Sequence, residues 1–410
     1  MSSASGNARF WPLRANELML LAAIGVVVVL ANFLDKNHGY FRQPVESIHE
    51  IARYTALLGI YSLGATVVII CGGIDLSVGS MIALSATVCG SLLIIGHEWA
   101  KMLADSGSGF ASTAAALVVP IAILGAIFSG FVVGTFHAWL ISALRLPPFI
   151  ATLATLVGLR SLARIICDGV TLPRGLVRTQ INVNDPFFDY INAHIWVQVA
   201  TFGVLAAITW FILSRTVLGR HLYAIGGNEQ AARLSGIKAD NIKWFAYAFA
   251  AITASIAGVL FVGNEIGASP VNQGRGYELN AIAAAVVGGC SLIGGVGTVA
   301  GTILGCVFLR VVIDSVARII PSGADMYEGL IVGAVVVVAV TFSQLQQLWN
   351  SGQELFPGKL GVVSIGAMAL LIWSFAAASF GMLAGTLIGG GTAVVLGAIK
   401  GAEMIRARRA

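Results

Sequence analysis

Asp75 is the only carboxylate between Arg53 and Glu98, and it stands in CGGIDLSVGS (71–80) between long runs of apolar and small residues. A lone acid in such surroundings suits one of two kinds of chemistry. It can carry a proton or cation through an apolar barrier, or it can cap a helix by accepting backbone amides at the positive end. The local spacing favours the cap: Gly72-Gly73-Ile74 is helix-weak, and Ser77 and Val78 supply the amides that Asp75 would accept. An ion-coupled site would call for further acids facing one cavity, and most apolar segments of this chain hold none.

Other polar groups recur at helical spacing. Arg160, Arg164 and Asp168 follow one another at i, i+4, and so do Arg310, Asp314 and Arg318. Each ladder suits mutual pairing with snorkelled arginine stems, or polar contact with a solute. Asn264, Glu265 and Asn280 interrupt apolar runs, and GASPVNQGRGYE between them supplies Asn272, Arg275, Tyr277 and Glu278 as a receiving surface or as plain loop solvation. GGCSLIGGVGT (288–298) holds five glycines in eleven residues, among them Gly288, Gly289, Gly294 and Gly295. That composition favours a broken helix or a close backbone approach on a path, with small-residue helix packing as the alternative. Histidines show no metal-ligand spacing, the five cysteines read as packing residues, and no GxxxxGK[ST] sequence occurs, so this chain is not expected to hydrolyse ATP.

The elements that must hold these groups are membrane spans. The 410 residues are 57% hydrophobic and 10% charged, with a mean hydropathy of +0.88, against about 25% charged residues in soluble domains. An all-α polytopic membrane protein follows. Residues 55–96 as one helix would reach about 63 Å, twice the ~30 Å hydrocarbon core, so the run must break at Gly72–Asp75. Spans are expected at 17–34, 55–71, 76–96, 113–141, 149–167, 195–213, 243–263, 281–296, 298–318 and 327–344, ten in all. Residues 360–399 can add a helical hairpin bent near Ser379–Gly381 or at the glycines 389–391. The first span has the look of a signal sequence, but an even topology favours an uncleaved anchor. With the N-terminus cytoplasmic, thirteen basic residues fall inside and eight outside, and the cluster at 215–243 decides the orientation. The charge of +5 is thus read by position around the spans, and no nucleic-acid partner is expected.

That basic loop, 214–242, contains LGRHLYAIGGNEQAARLSGIKADNIK. Gly219 and Gly226 precede Asn228, a helix N-cap; Glu229 pairs with Arg233 at i, i+4; Ala231, Leu234 and Ser235 share a face; and Gly236 closes the helix. It is either a docking knob or an amphipathic connector.

Four segments, GGIDLSVGSM (72–81), PPFIATLATLVGLRS (147–161), GRHLYAIGGNEQAARLSGIK (219–238) and ELNAIAAAVVGGCSLIGGVGTVAGTILG (278–305), resemble the permease subunits of ribose, xylose and galactose type ATP-binding-cassette importers. The resemblance runs from about residue 15 to 345. It implies a ten-span permease with short or broken helices (17–345) behind a cytoplasmic arm (1–16), importing a pentose or hexose across the bacterial inner membrane. It further implies two permease copies, two ATPase subunits that use ATP and Mg, and a periplasmic sugar-binding protein. EQAARLSG corresponds to the family's coupling loop, with Glu229, Ala231, Ala232 and Gly236 in the ATPase cleft. Residues 346–410, with the hairpin and the basic RARRA tail, depart from the family. A nucleoside or furanosyl signalling molecule is the alternative cargo, and an ion-coupled carrier with Asp75 as its ion site the more distant one. For a neutral, hydroxyl-rich cargo, amide, hydroxyl and aromatic groups suit the path better than an unpaired charge.

Overall fold

The computed structural model describes residues 15–176, 179–319, 329–330, 332–334, 337, 341 and 358–407. The chain divides into two compact units, Met1–Val337 and Val338–Ala410.

In the first unit α1 spans Ala15–Leu34, α2 Gly39–Arg42, α3 Pro44–Ile70, α4 Val78–Asp105, α5 Ala111–Ser142 and α6 Pro148–Thr171. After a short strand β1 (Ile181–Asn182) come α7 (Pro186–Ala193), α8 (Ile195–Arg215), α9 (Val217–Gly227), α10 (Glu229–Leu234) and α11 (Ala239–Asn264). Strand β2 (Gly267–Ala268), α12 (Tyr277–Val287) and α13 (Val299–Ile319) follow. Among the described residues eight helices, α1, α3, α4, α5, α6, α8, α11 and α13, are long and apolar enough to cross a membrane, the range of α6 running on to Arg174.

The helices start where proline and polar punctuation allow. Pro44 and Pro148 occupy first-turn positions, where a missing N–H costs nothing. α3 therefore begins eleven residues before the expected 55, its added turns carrying Glu46, His49, Glu50 and Arg53. The expected break between the second and third spans is present: α3 ends at Ile70, Gly72 takes φ +82°, and α4 begins at Val78. The expected span 281–296 is corrected. Its helix, α12, has eleven residues, about 16 Å at 1.5 Å per residue, half of a ~30 Å core. It stops because Gly289, Gly294 and Gly295 all adopt positive φ, a region glycine enters without steric cost. The expected span 327–344 lies mostly outside the described residues.

α3, α4 and α11 form the core, buried along most of their length, while α1, α5, α6 and α8 keep a broad apolar face outward. Helices in lipid gain little from hydrophobic burial against one another and associate by close packing. Here the backbones approach through small residues: a Cβ on Gly64 of α3 would stand 2.7 Å from the Ala250 Cα, and one on Gly134 of α5 2.6 Å from the Ala248 Cα. The antiparallel pair Ile181↔Ala268 and Asn182↔Gly267 was not legible in the sequence, since strands of two residues have no periodicity.

The second unit consists of α14 (Gly358–Phe380) and α15 (Met382–Ala407). They join at Gly381, with φ +91°, and fold back on each other. A Cβ on Gly385 would lie 2.6 Å from the Ala377 Cβ, and one on Gly389 2.5 Å from the Trp373 Cβ. Of the two bends expected, the chain takes the one at Gly381, and the glycines 389–391 lie inside α15.

Candidate functional site

The site is assembled from three breaks in helical structure. The first is the loop of α9 and α10. Asn228 caps α10 as expected, its Oδ1 accepting from the Ala231 amide at 2.9 Å. The helix closes with a paired motif, Ile237 N–H to the Ala232 carbonyl at 3.1 Å and Gly236 N–H to the Arg233 carbonyl at 3.0 Å, and Gly236 takes the left-handed conformation that this motif requires. Glu229 pairs with Arg233 at 3.0 Å and with Lys243 of α11 at 2.8 Å, and Arg233 also reaches Asp240. Partial burial pushes the Glu229 carboxyl up, but the bonds from Lys243 and Arg233 outweigh it and hold the group below the usual carboxylate range. Ala232 faces inward while Ala231, Leu234 and Ser235 face out, Leu234 at 90% exposure. α10 is therefore a capped, charge-anchored knob with an apolar tip. Gly219 packs on the end of α8, where a Cβ would meet the Ile212 carbonyl at 2.4 Å, and its amide bonds Thr216 Oγ1 at 3.1 Å.

The second break is Cys71–Ser77 between α3 and α4, and the third is Gly288–Thr298 between α12 and α13. Both meet the end of α9 through bare backbone. A Cβ on Gly226 would lie 1.8 Å from the Ile70 carbonyl oxygen and 2.5 Å from the Gly295 nitrogen. A Cβ on Gly294 would stand 2.8 Å from the Gly72 Cα, and Gly295 N–H donates to the Ile70 carbonyl at 2.9 Å. Tyr223 of α9 adds a bond from its hydroxyl to the Gly297 carbonyl at 2.9 Å. Gly288 in turn crosses Gly301 of α13, each blocking a Cβ on the other. The glycine segment thus combines both readings of its composition, a broken helix and close small-residue packing. Gly226, Gly72, Gly294 and Gly295 form one junction in which α9 meets the two other breaks backbone to backbone, without any intervening side chain.

Asp75 sits in the second break and is 3% exposed. Its Oδ1 accepts from the Ser77 amide at 2.8 Å and from Ser77 Oγ at 2.6 Å. The expected amide bond is present, but the N-cap of α4 is Ser77 itself, so Asp75 caps from two residues further out. The segment also lies deeper than a turn at the helix ends. Gly72 touches Gly226, whereas Gly79, the second residue of α4, abuts Gly274, where a Cβ would stand 2.0 Å from the Gly274 carbonyl oxygen. Asp75→Asn should keep most of the activity of the wild-type chain, because an asparagine oxygen accepts the same two bonds. Uptake falling to background in that variant would show that the charge itself is required.

Gly274 belongs to the loop 269–276 that follows β2. Gln273 stitches it internally, accepting from the Ser269 amide at 3.0 Å and donating to the Gly267 carbonyl at 2.9 Å. Arg160 of α6 clamps it from outside, donating to the carbonyls of Pro270 at 3.3 Å, Gln273 at 2.9 Å and Gly274 at 3.1 Å. Arg160 is thus committed to backbone, and Arg164 of the same ladder is exposed. In the other ladder Asp314 accepts from Arg318 Nε at 2.7 Å and from the Tyr40 hydroxyl at 2.7 Å, while the Arg310 guanidinium lies over the Tyr54 ring at 4.1 Å. Beside the loop Asn264 Oδ1 and Glu278 Oε2, and on α13 Arg310 Nε, are buried with no partner among the described residues. Asn280 is buried at the start of α12, and Glu265 and Asn272 are exposed. Sequence reasoning found these polar residues but not the clamp, because a bond to a carbonyl 110 or more residues away leaves no pattern.

Residues 47–340 match the family described as branched-chain amino acid transport system / permease component. The chain is 33% identical over 344 residues to the ribose import permease protein RbsC of Escherichia coli (strain K12), covering 82% of this chain and 96% of that protein. It is 34% identical over 320 residues to the autoinducer 2 import system permease protein LsrC of Yersinia pestis (strain Pestoides F), covering 77% and 82% respectively. No solved structure matches the chain. With a family match that runs from the first turn of α3 past the end of α13, and with all three breaks inside it, the chain belongs to this permease family and is homologous to the import permeases for ribose and autoinducer 2.

Proposed function

We propose that this chain is the membrane-spanning subunit of an ATP-binding-cassette importer that moves a monosaccharide across the bacterial inner membrane. The glycine junction carries the reading, because it links an exposed, capped knob to the two breaks that interrupt the spans. On this reading α10 docks in the cleft of an ATPase subunit through Leu234 and the residues Glu229, Ala231 and Gly236, while Ala232, expected in the cleft from the resemblance, is buried and anchors the helix to its own chain. ATP and Mg are used there, in another chain. Motion of α10 and α9 reaches Gly72–Asp75 and Gly288–Thr298 through Gly226, and the polar groups Asn264, Glu265, Asn272, Asn280 and Glu278 beside loop 269–276, with Arg310 on α13, meet the hydroxyls of the cargo. A neutral solute asks for dispersed polar contacts and not a strong counter-charge.

A second permease copy, a periplasmic sugar-binding protein and membrane lipid complete the assembly, and both termini lie on the cytoplasmic side with the basic loop 214–242. Ten spans are proposed for the core, α12 forming a short one and 327–344 the tenth, with α14 and α15 as a membrane hairpin. The autoinducer 2 relative supports a second cargo reading, a furanosyl signalling molecule or nucleoside on the same scaffold. Uptake of labelled ribose into vesicles holding the permease, its ATPase and the binding protein tests the proposal. Uptake that proceeds equally without ATP would overturn it, and ATP-driven uptake of a furanosyl compound but of no monosaccharide would select the second cargo.

Deleting residues 351–410 should leave the core in the membrane with its thermal midpoint within a few degrees of the full chain, since the core elements fold on themselves. Loss of the truncated protein from the membrane fraction would make the extension structural.

A further inference from the structure

Behind the Gly72–Ser77 segment lies a polar group that the coupling path does not use. Tyr247 of α11 is 2% exposed, and its hydroxyl has no hydrogen-bond partner among the described residues. That segment, which the importer reading makes the gate, runs directly over it: a Cβ on Gly73 would stand 2.3 Å from that oxygen. Asp75 and the fully buried His137 of α5 are both near. The His137 and Tyr247 rings meet edge to face at 6.3 Å, and Asp75 is within electrostatic reach of each.

The bonding of the neighbours fixes what each can offer. Thr155 Oγ1 donates to the carbonyls of Ala151 and Thr152, at 3.2 and 3.0 Å. It therefore accepts from His137 Nε2 at 2.7 Å. A neutral imidazole with its proton on Nε2 presents Nδ1 as an acceptor only, and His137 Nδ1 is also buried without a partner. The Tyr247 proton thus has two acceptors nearby, His137 Nδ1 and the Asp75 carboxylate, and bonds to neither. Asp75, for its part, takes both Ser77 bonds on Oδ1. Those two bonds are internal to the segment and travel with it, so they place no limit on its position. The Gly72 and Gly73 amides hold the start of the segment to α3, at the Ile69 and Val68 carbonyls, both at 2.9 Å, and beyond them a bond from Thr152 Oγ1 to the Ile74 carbonyl at 3.2 Å ties it to α6.

Resting on the permease reading above, we propose that Tyr247 is the positioning residue for a second setting of the gate. When α9 displaces the segment through Gly226, the Tyr247 hydroxyl donates to Asp75 Oδ2 and holds the segment there. The buried hydroxyl unpaired in this setting is paired in the other, and the bond gained offsets part of the cost of displacing the segment, as a reversible gate requires. Asp75→Asn remains active on this account, because an asparagine Nδ2–H can donate to the Tyr247 oxygen in the same place.

The test uses the full transporter in vesicles. Tyr247→Phe removes only the oxygen, and since that oxygen is unbonded at rest, the thermal midpoint should stay level or rise while ATP-driven uptake falls about tenfold. Adding Tyr247→Phe to Asp75→Ala should lower uptake no further than Asp75→Ala alone, because both remove the same bond. A lower midpoint in Tyr247→Phe would mean that the hydroxyl is bonded at rest, and would overturn the proposal. So would uptake within twofold of wild type, or losses that multiply in the double variant. If the wild-type transporter itself shows no ATP-driven uptake, the permease reading falls and this one with it; failure of the variants beside an active wild type removes this one alone.

Discussion

Gly226→Val should reduce ATP-driven uptake by at least about tenfold while the protein still inserts. A Cβ at that position lands 1.8 Å from the Ile70 carbonyl oxygen and 2.5 Å from the Gly295 nitrogen, and both are backbone atoms that cannot rotate away. Overpacking of this kind costs about 1–3 kcal/mol, and 1.4 kcal/mol is tenfold in an equilibrium. The relief available to the chain is to separate α9 from the other two breaks, which also lengthens the Gly295 N–H to Ile70 bond of 2.9 Å. The knob is untouched, because Asn228, Glu229 and Gly236 keep their own caps and ion pairs. The variant should therefore still bind the ATPase subunit and hydrolyse ATP, but hydrolysis should no longer respond to the loaded binding protein. Wild-type uptake by Gly226→Val would show that α9 does not drive the gate through this contact.

Arg160→Met should have the second largest effect, and through a different part of the molecule. The substitution removes three charge-assisted bonds to the carbonyls of Pro270, Gln273 and Gly274 and leaves the methylene stem. A single bond to a charged group contributes about 1.5–3 kcal/mol, and losses within one cluster do not add. Loop 269–276 should open locally, seen as faster amide exchange over those residues with little change over α3 and α4. Uptake should fall at least about tenfold, since Glu278 and Asn280 follow the loop directly. Arg160→Lys should recover only part, because one ammonium cannot hold three carbonyls with the geometry of a planar fork. Unchanged exchange in Arg160→Met would show that Gln273 holds the loop unaided.

Much of this was legible in the sequence because hydropathy and glycine report on backbone. The break at 72–75 followed from length alone, and the caps at Asn228 and Gly236 followed from residue type and spacing. Where the reading fell short, the cause was distance along the chain. Asp75 was expected to cap from the N-cap position, but Ser77 holds that place, because the extended segment carries the chain two residues deeper before α4 begins. The span drawn over 281–296 counted apolar residues and missed that three positive-φ glycines end the helix halfway. The spacing of the ladders at 160–168 and 310–318 suits local pairing or contact with a solute. Asp314 and Arg318 do pair, but Arg160 is claimed by carbonyls over a hundred residues away, and nothing in its own neighbourhood announces them. Tyr247 gave no signal at all, for a tyrosine in an apolar run looks the same whether or not its hydroxyl is bonded.

The junction of Gly226, Gly72, Gly294 and Gly295 has one more property. A linkage made of backbone asks only that side chains be absent, so it places no demand on which residues line the path or cover the knob. On the importer reading proposed above, drive and cargo recognition are then separable: exchanges at Asn264 or Glu278 would change the solute and leave the same linkage, which rests on four glycine hydrogen atoms.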